Sequence, residues 1–147
     1  MRARDIMTPK PETLTASDSI RRAAELMREL NVGIIPVVDE TERDRVRGVI
    51  TDRDIAMRHV ADGHGDSCTV GDHMTSSVIK VTPDHDVDEV MRRMQRDQVR
   101  RIAVVEDGDR LIGIIAQADL AVKMSEREAE AVGETLEKIS EPARPER

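Results

Sequence analysis

The chain repeats itself, and that repetition constrains its fold more than any other feature. Asp5-Ile6-Met7-Thr8 returns 67 residues later as Asp72-His73-Met74-Thr75. At the same spacing Thr15 meets Thr82, Ile20 meets Val87 and Met27 meets Met94. The run Val32-Gly33-Ile34-Ile35-Pro36-Val37-Val38-Asp39 then meets Val99-Arg100-Arg101-Ile102-Ala103-Val104-Val105-Glu106. After a loop two residues longer in the first copy, Gly48-Val49-Ile50-Thr51-Asp52-Arg53-Asp54 meets Gly113-Ile114-Ile115-Ala116-Gln117-Ala118-Asp119. Similar blocks in one order mark a duplication. Neither copy can bury both faces of a small sheet alone, so the two are expected to pack together.

Each copy reads as β-α-β-β-α, an α/β (α+β) fold of two pseudo-symmetric βαββα repeats. A short extended piece, Thr13 to Thr15 or Val78 to Val81, leads into an amphipathic helix. Ile20, Ala23, Ala24, Met27 and Leu30 make one apolar face, and Val87, Val90, Met91 and Met94 make its counterpart. Ser17 and Asp84 are the expected N-caps. Runs rich in β-branched residues follow at Ile34 to Val38 and Ile102 to Val105, then at Arg47 to Ile50 and Leu111 to Ile115. A second helix starts at Thr51 and near Gln117. The expected organisation is a first repeat over 1–60, a Gly-rich connection over 61–71, a second repeat over 72–124 and a polar tail over 125–147. Ala129, Val132, Leu136 and Ile139 give that tail one helical stretch, and its end, Glu141 to Pro145, is expected to fray.

Composition removes several function classes. The formal net charge is -7, which argues against binding a phosphate backbone. With no Phe, Tyr or Trp there are no stacking platforms for single-stranded nucleic acid. The single cysteine, Cys68, cannot form an intramolecular disulfide, in keeping with a reducing compartment. No apolar run resembles a signal peptide or a membrane span, so a cytoplasmic protein that binds neither nucleic acid nor membrane is expected. No catalytic constellation stands out: there is no Ser/His/Asp or Cys/His arrangement, no placed carboxylate pair and no full P-loop.

The junction Gly48 to Asp54 carries the chemistry. A strand runs there into a helix start, where free N–H groups and the helix dipole favour an anion. The Thr51 hydroxyl suits a phosphate, and the Asp54 carboxylate suits the two hydroxyls of a ribose. Thr-x-x-Asp at a helix start is equally a capping box. Local spacing alone leaves both readings open and favours the cap.

The paired pattern, with DIMT and DHMT leading in, GIIPVVD in the middle and GVITDRD at the end, resembles the cystathionine-β-synthase (CBS) domain pair. The likeness covers residues 1 to about 123, and the chain especially resembles small stand-alone bacterial members, the mycobacterial hypoxic response type among them. The resemblance implies a disc-like homodimer and two clefts for AMP, ADP, ATP, NAD or S-adenosylmethionine as regulatory ligands, with no cofactor required. In the first cleft it implies Val49, Ile50, Thr51 and Asp54 with Val78, Ile79, Lys80, Val99, Arg100 and Arg101, the two arginines meeting phosphates. In the second it implies Thr13, Leu14, Gly33, Ile34, Pro36, Ala116 and Asp119. Ala116 stands there in place of the Thr or Ser, and Gly33-Ile34 in place of two arginines, so the second cleft is expected to be the weaker.

Two functions remain: a ligand sensor that signals to a protein partner in trans, and a ligand-independent dimerisation or adaptor module. Ile55, Ala56 and Val60, with Leu120, Ala121 and Met124, are the expected dimer-contact residues. His59, His64, Cys68 and His73 gather around the connection, but their spacing matches no compact zinc motif. A mobile surface loop and no metal site are expected there.

Overall fold

The computed structural model describes residues 1–124 and 129–140; the expected fraying of 141–145 lies outside the described residues. The chain divides into two compact units. One comprises Pro11–Val78 with Asp107–Leu111, and the other comprises Met1–Lys10, Ile79–Glu106 and the chain from Ile112 onward. The units therefore interleave in sequence, a feature the repeat spacing does not reveal.

In the first of these units, β2 (Leu14–Thr15) leads to α2 (Ile20–Leu30), β3 (Ile34–Val38) and β4 (Val46–Thr51). The sheet runs β2-β3-β4, with β2 and β3 parallel and β3 and β4 antiparallel. Pro36 tolerates the central strand because β2 pairs only with Val37 and Val38, and its own partner, Val49, turns its N–H to Thr75. Ile20, Ala23, Leu26 and Met27 bury the helix face against Ile35, Val37 and Ile50. Ser19, not Ser17, caps α2, accepting from the Arg22 N–H at 2.9 Å. The helix starts two residues later than expected, and Asn31 ends it in the left-handed conformation.

The same unit continues through α3 (Asp52–Asp54) into a wide π-helical stretch, Ile55–Val60. The connection that follows is not a surface loop throughout. Its last residues form α4 (Val70–His73), and Val70 is fully buried in the unit's core.

The other unit opens with α1 (Ala3–Ile6) and β1 (Thr8–Pro9), and continues with β5 (Lys80–Val81), α5 (Val87–Asp97), β6 (Arg101–Glu106), β7 (Arg110–Ala116), α6 (Gln117–Lys123) and α7 (Ala129–Ser140). Its sheet runs β1-β7-β6-β5. Asp86, not Asp84, caps α5, accepting from the Asp88 N–H. Asp84 instead pairs with Arg2 and Arg4. In the core, Ala3 and Ile6 join Val87, Val90, Met94, Ile102, Ile115 and Leu120. Helix α7 packs on α5 through buried Ile139 and a hydrogen bond from Gln95 to Thr135.

The lead-in segments thus complete the unit of the opposite repeat. Thr8 and Pro9 pair with Ile114 and Gly113 on β7. Thr75 takes the equivalent place beside Val49 on β4.

The turn after β3 carries a strongly displaced carboxylate. Asp39 accepts from the N–H groups of Glu42 and Thr41 and from the Arg47 guanidinium. These donors lower its pKa from 3.8 to about 2. A depressed carboxylate contributes stability above its unfolded pKa and loses it as pH falls through the folded value. Acid titration followed by circular dichroism should show a shallower loss between about pH 4 and pH 2 for Asp39→Asn than for the parent.

Candidate functional site

At the end of β4 the backbone turns into α3 with Thr51 as N-cap. The Asp54 N–H donates to Thr51 Oγ1 at 3.0 Å, and the Thr51 N–H donates to Asp54 Oδ2 at 3.0 Å. The capping box is therefore real. It also leaves capacity unused. Thr51 Oγ1 acts as acceptor in this box, so its hydroxyl hydrogen is not consumed by it. Asp54 is 9% exposed. Among the described residues its Oδ1 has only long contacts, Thr75 Oγ1 at 3.4 Å and Arg58 Nε at 3.8 Å. Thr75 comes from the DHMT lead-in and reaches both Asp54 oxygens at that distance. Sequence reasoning missed it as a site residue; the Thr8/Thr75 correspondence was the available signal.

The remaining residues of this junction divide by burial. Val49 is half-buried, whereas Ile50 is wholly within the core and offers only its backbone. In the same unit, Gly33 accepts from the Asp52 N–H through its carbonyl at 2.9 Å. A Cβ on Gly33 would meet Asp52 Oδ2 at 2.9 Å, so the absence of a side chain lets the helix start close on β3. Ile34, opposite Thr51 in the register, is half-buried, as is Thr13. Leu14 and Pro36 are buried. Val78 is half-buried at the end of this unit.

The second unit repeats the junction with one half of the box missing. The Ala116 N–H donates to Asp119 Oδ2 at 2.7 Å, but alanine has no hydroxyl to return the bond. Lys123 stands 3.8 Å from Asp119 Oδ1 and donates to the Ile6 carbonyl at 3.1 Å. Arg100, exposed, accepts from the Gln117 N–H through its carbonyl, as Gly33 does for Asp52. Arg101 is the first residue of β6 and is half-buried. Val99 closes the end of α5 through its N–H, and the Ile79 carbonyl accepts from Ala103. Lys80 opens β5 and accepts from Arg93 through its carbonyl.

The contact residues expected from the second helices also divide. Leu120 is fully buried in its own unit and Ile55 and Met124 pack against their cores, so none of the three offers a free apolar face. Val60 and, beside it, Met57 are exposed, as is Val122 on α6. Ala56 and Ala121 are exposed as well. Among the described residues no helix is long and apolar enough to cross a membrane.

A family model described as CBS domain matches residues 3–60 and again residues 70–126. Hypoxic response protein 1 of Mycobacterium tuberculosis is 33% identical over 125 residues, 84% of this chain and 85% of that protein. The crystal structure of Hypoxic Response Protein I, which holds two coordinated zinc ions, matches with a TM-score of 0.76 at 30% identity, over 85% of this chain and all of that one. The CBS domain pair of protein MJ0100, solved with 5′-methylthioadenosine and S-adenosyl-L-methionine, matches with a TM-score of 0.73 at 30% identity, over 82% of this chain and 97% of that one. CBSX2 in complex with AMP matches with a TM-score of 0.70 at 26% identity, over 90% and 98%.

Proposed function

This chain belongs to the CBS domain family through both of its repeats, and we propose that it is a regulatory module whose adenosyl ligand sits at Asp54. CBS-pair proteins are regulatory modules, and solved relatives bind AMP or S-adenosylmethionine. The observation that carries the reading is the buried Asp54 carboxylate, one oxygen fixed by the cap and the other left with long contacts. A ribose diol supplies the two donors that such an oxygen accepts well. The Thr51 hydroxyl is the donor for an α-phosphate or its surrogate. For a phosphate-bearing ligand the family resemblance implies Arg100 and Arg101 as the cations. Val49 and Val78 supply further contacts from the same unit.

The Asp119 junction of the second unit is the weaker station, having Ala116 where the first has Thr51. It suits a ligand without phosphate. The regulatory output passes to a protein partner, and the exposed Met57, Val60 and Val122 favour self-association as a homodimer.

Titration calorimetry of the full chain with AMP, ATP, NAD and S-adenosylmethionine tests this reading. Asp54→Asn keeps an oxygen for the Thr51 N–H but removes an acceptor for ribose, and should weaken binding at least about 10-fold. Asp119→Asn should leave the tightest site within about 3-fold. Arg100→Ala with Arg101→Ala should cost more with AMP than with S-adenosylmethionine. No binding tighter than about 1 mM would leave the adaptor reading standing. A loss carried by Asp119→Asn instead would move the site to the unit that holds Arg100 and Arg101.

A further inference from the structure

Away from the Asp54 junction, the first unit brings together four side chains that are spread over fifteen residues of sequence. His59 lies near the end of the π-helical stretch, His64 and Cys68 on the connection, and His73 at the end of α4. His59 Nδ1 and His73 Nε2 are 3.2 Å apart. Ligand atoms of His59, Cys68 and His73 all lie within 4.8 Å of one another. The His64 ring stacks near His59 and stands 5.1 Å from the His73 ring, centroid to centroid.

We propose that His59, Cys68 and His73 bind one zinc-class transition-metal ion, with His64 placed to take the fourth position. The donor set is two or three imidazoles and a thiolate, the chemistry that selects zinc and not calcium or magnesium. The spacing fits as well. Zinc–nitrogen bonds of about 2.0–2.1 Å at a tetrahedral angle put two ligand nitrogens about 3.3 Å apart. A hydrogen bond alone would account for the two imidazoles, but not for a sulfur brought within reach of both.

The local fold explains why the group converges. The π-helical winding ends in bonds from the Ala61 N–H to Ala56 and from the His64 N–H to His59, which fold His64 back over His59. Gly63, at φ 74°, supplies the left-handed turn between them. Cys68 is anchored through its carbonyl to the Ile20 N–H, and its side chain packs against the unit's core. His73 is 6% exposed. Burial first, and then the neighbouring His59 and His64, push its pKa below the usual histidine value, against the pull of Asp72 and Asp62. Metal ligation takes the neutral imidazole. The Arg58 guanidinium reaches both Asp54 and the His73 carbonyl, so the group abuts the Asp54 junction without sharing its residues.

The test uses the full chain stripped with a chelator and titrated with zinc chloride by calorimetry, with cobalt(II) as an optical probe. One zinc per chain is expected, with affinity tighter than about 10 μM, and zinc should raise the melting temperature until a chelator removes it. His59→Gln should weaken binding by more than the roughly 10–100-fold that loss of an outer-shell partner costs. Cys68→Ser should abolish the sulfur-to-cobalt charge-transfer band. Both positions are outside the fully buried core, so both variants are expected to fold, which circular dichroism checks; His73→Gln is the riskier variant. Zinc bound equally well by parent, His59→Gln and Cys68→Ser would overturn the proposal, as would no binding at that affinity. The outcome is independent of whether an adenosyl ligand binds at Asp54.

Discussion

An Ile6→Ala variant is expected to lose about 2–5 kcal/mol of stability, a large fraction of what a chain this size possesses. Ile6 lies in a four-residue helix near the N-terminus, where sequence position alone suggests tolerance. The structure gives the opposite expectation. Ile6 is fully buried with Ile115, Leu120 and Val90 in the core of the unit that carries the second repeat. The segment around it is tied down by backbone hydrogen bonds from Ala3 to His85, from Arg4 to Pro83 and from Val87 to Met1. Truncation therefore leaves a cavity in a fixed wall, and the surroundings cannot collapse into it cheaply. Urea denaturation is the measurement, with Arg21→Ala as control. The Arg21 side chain is 76% exposed, and its loss should change stability by no more than about 0.5 kcal/mol. A loss below about 1 kcal/mol for Ile6→Ala would mean that the N-terminal segment docks loosely.

Gly48→Ala is the second variant with a large expected effect, because its cost falls on backbone. A Cβ at Gly48 would lie 2.6 Å from the Thr75 carbonyl oxygen and 3.0 Å from Met74 Cε. That same oxygen accepts from the Val49 N–H at 2.9 Å, and the Thr75 N–H returns the bond to Val49 at 2.8 Å. Relief requires the Thr75 segment to move, straining or breaking both bonds and drawing the Thr75 hydroxyl away from Asp54. Overpacking costs about 1–3 kcal/mol, and each lost hydrogen bond adds about 0.5–1.5 kcal/mol. The equivalent Gly113 would place its Cβ 2.5 Å from Met7 Sδ, the mobile part of an adaptable side chain, and 3.0 Å from the Thr8 carbonyl. Gly48→Ala should therefore destabilise more than Gly113→Ala, and should also weaken the adenosyl binding proposed at Asp54. Thermal melts of the two variants decide the order; equal effects would sink the backbone argument.

Much of the fold was legible because hydrophobic period and β-branching act locally. The strands at Ile34 and Ile102 and the helices at Ile20 and Val87 fall where the pattern puts them. The interleaving was not legible, for a simple reason. In a tandem repeat, moving the point where one copy ends and the next begins leaves the internal spacing unchanged. Asp5–Thr8 and Asp72–Thr75 therefore look alike whichever strands they complete. The caps were misplaced for a related reason: Ser17 and Ser19, or Asp84 and Asp86, are the same residue type two positions apart, and only the helix start separates them. Thr51 and Asp54 were legible as a capping pair. The convergence of His59, Cys68 and His73 was hidden because their spacing belongs to no compact motif. It arises from a π-helical winding that sequence periodicity does not announce.

The interleaving also sets an order of events during synthesis. Lys123 donates to the carbonyl of Ile6 across 117 positions of sequence, and Ile115 and Leu120, which bury Ile6, are nearly as far away. A ribosome releases the opening segment long before it makes those partners. Until then Ile6 has no wall to close against, and the helical turn that holds it is too short to persist alone. The segment must stay open while most of the chain emerges, then close onto the second repeat through contacts of very high sequence separation, the kind that form slowly. The residues around Ile6 are thus made well before the partners that bury them.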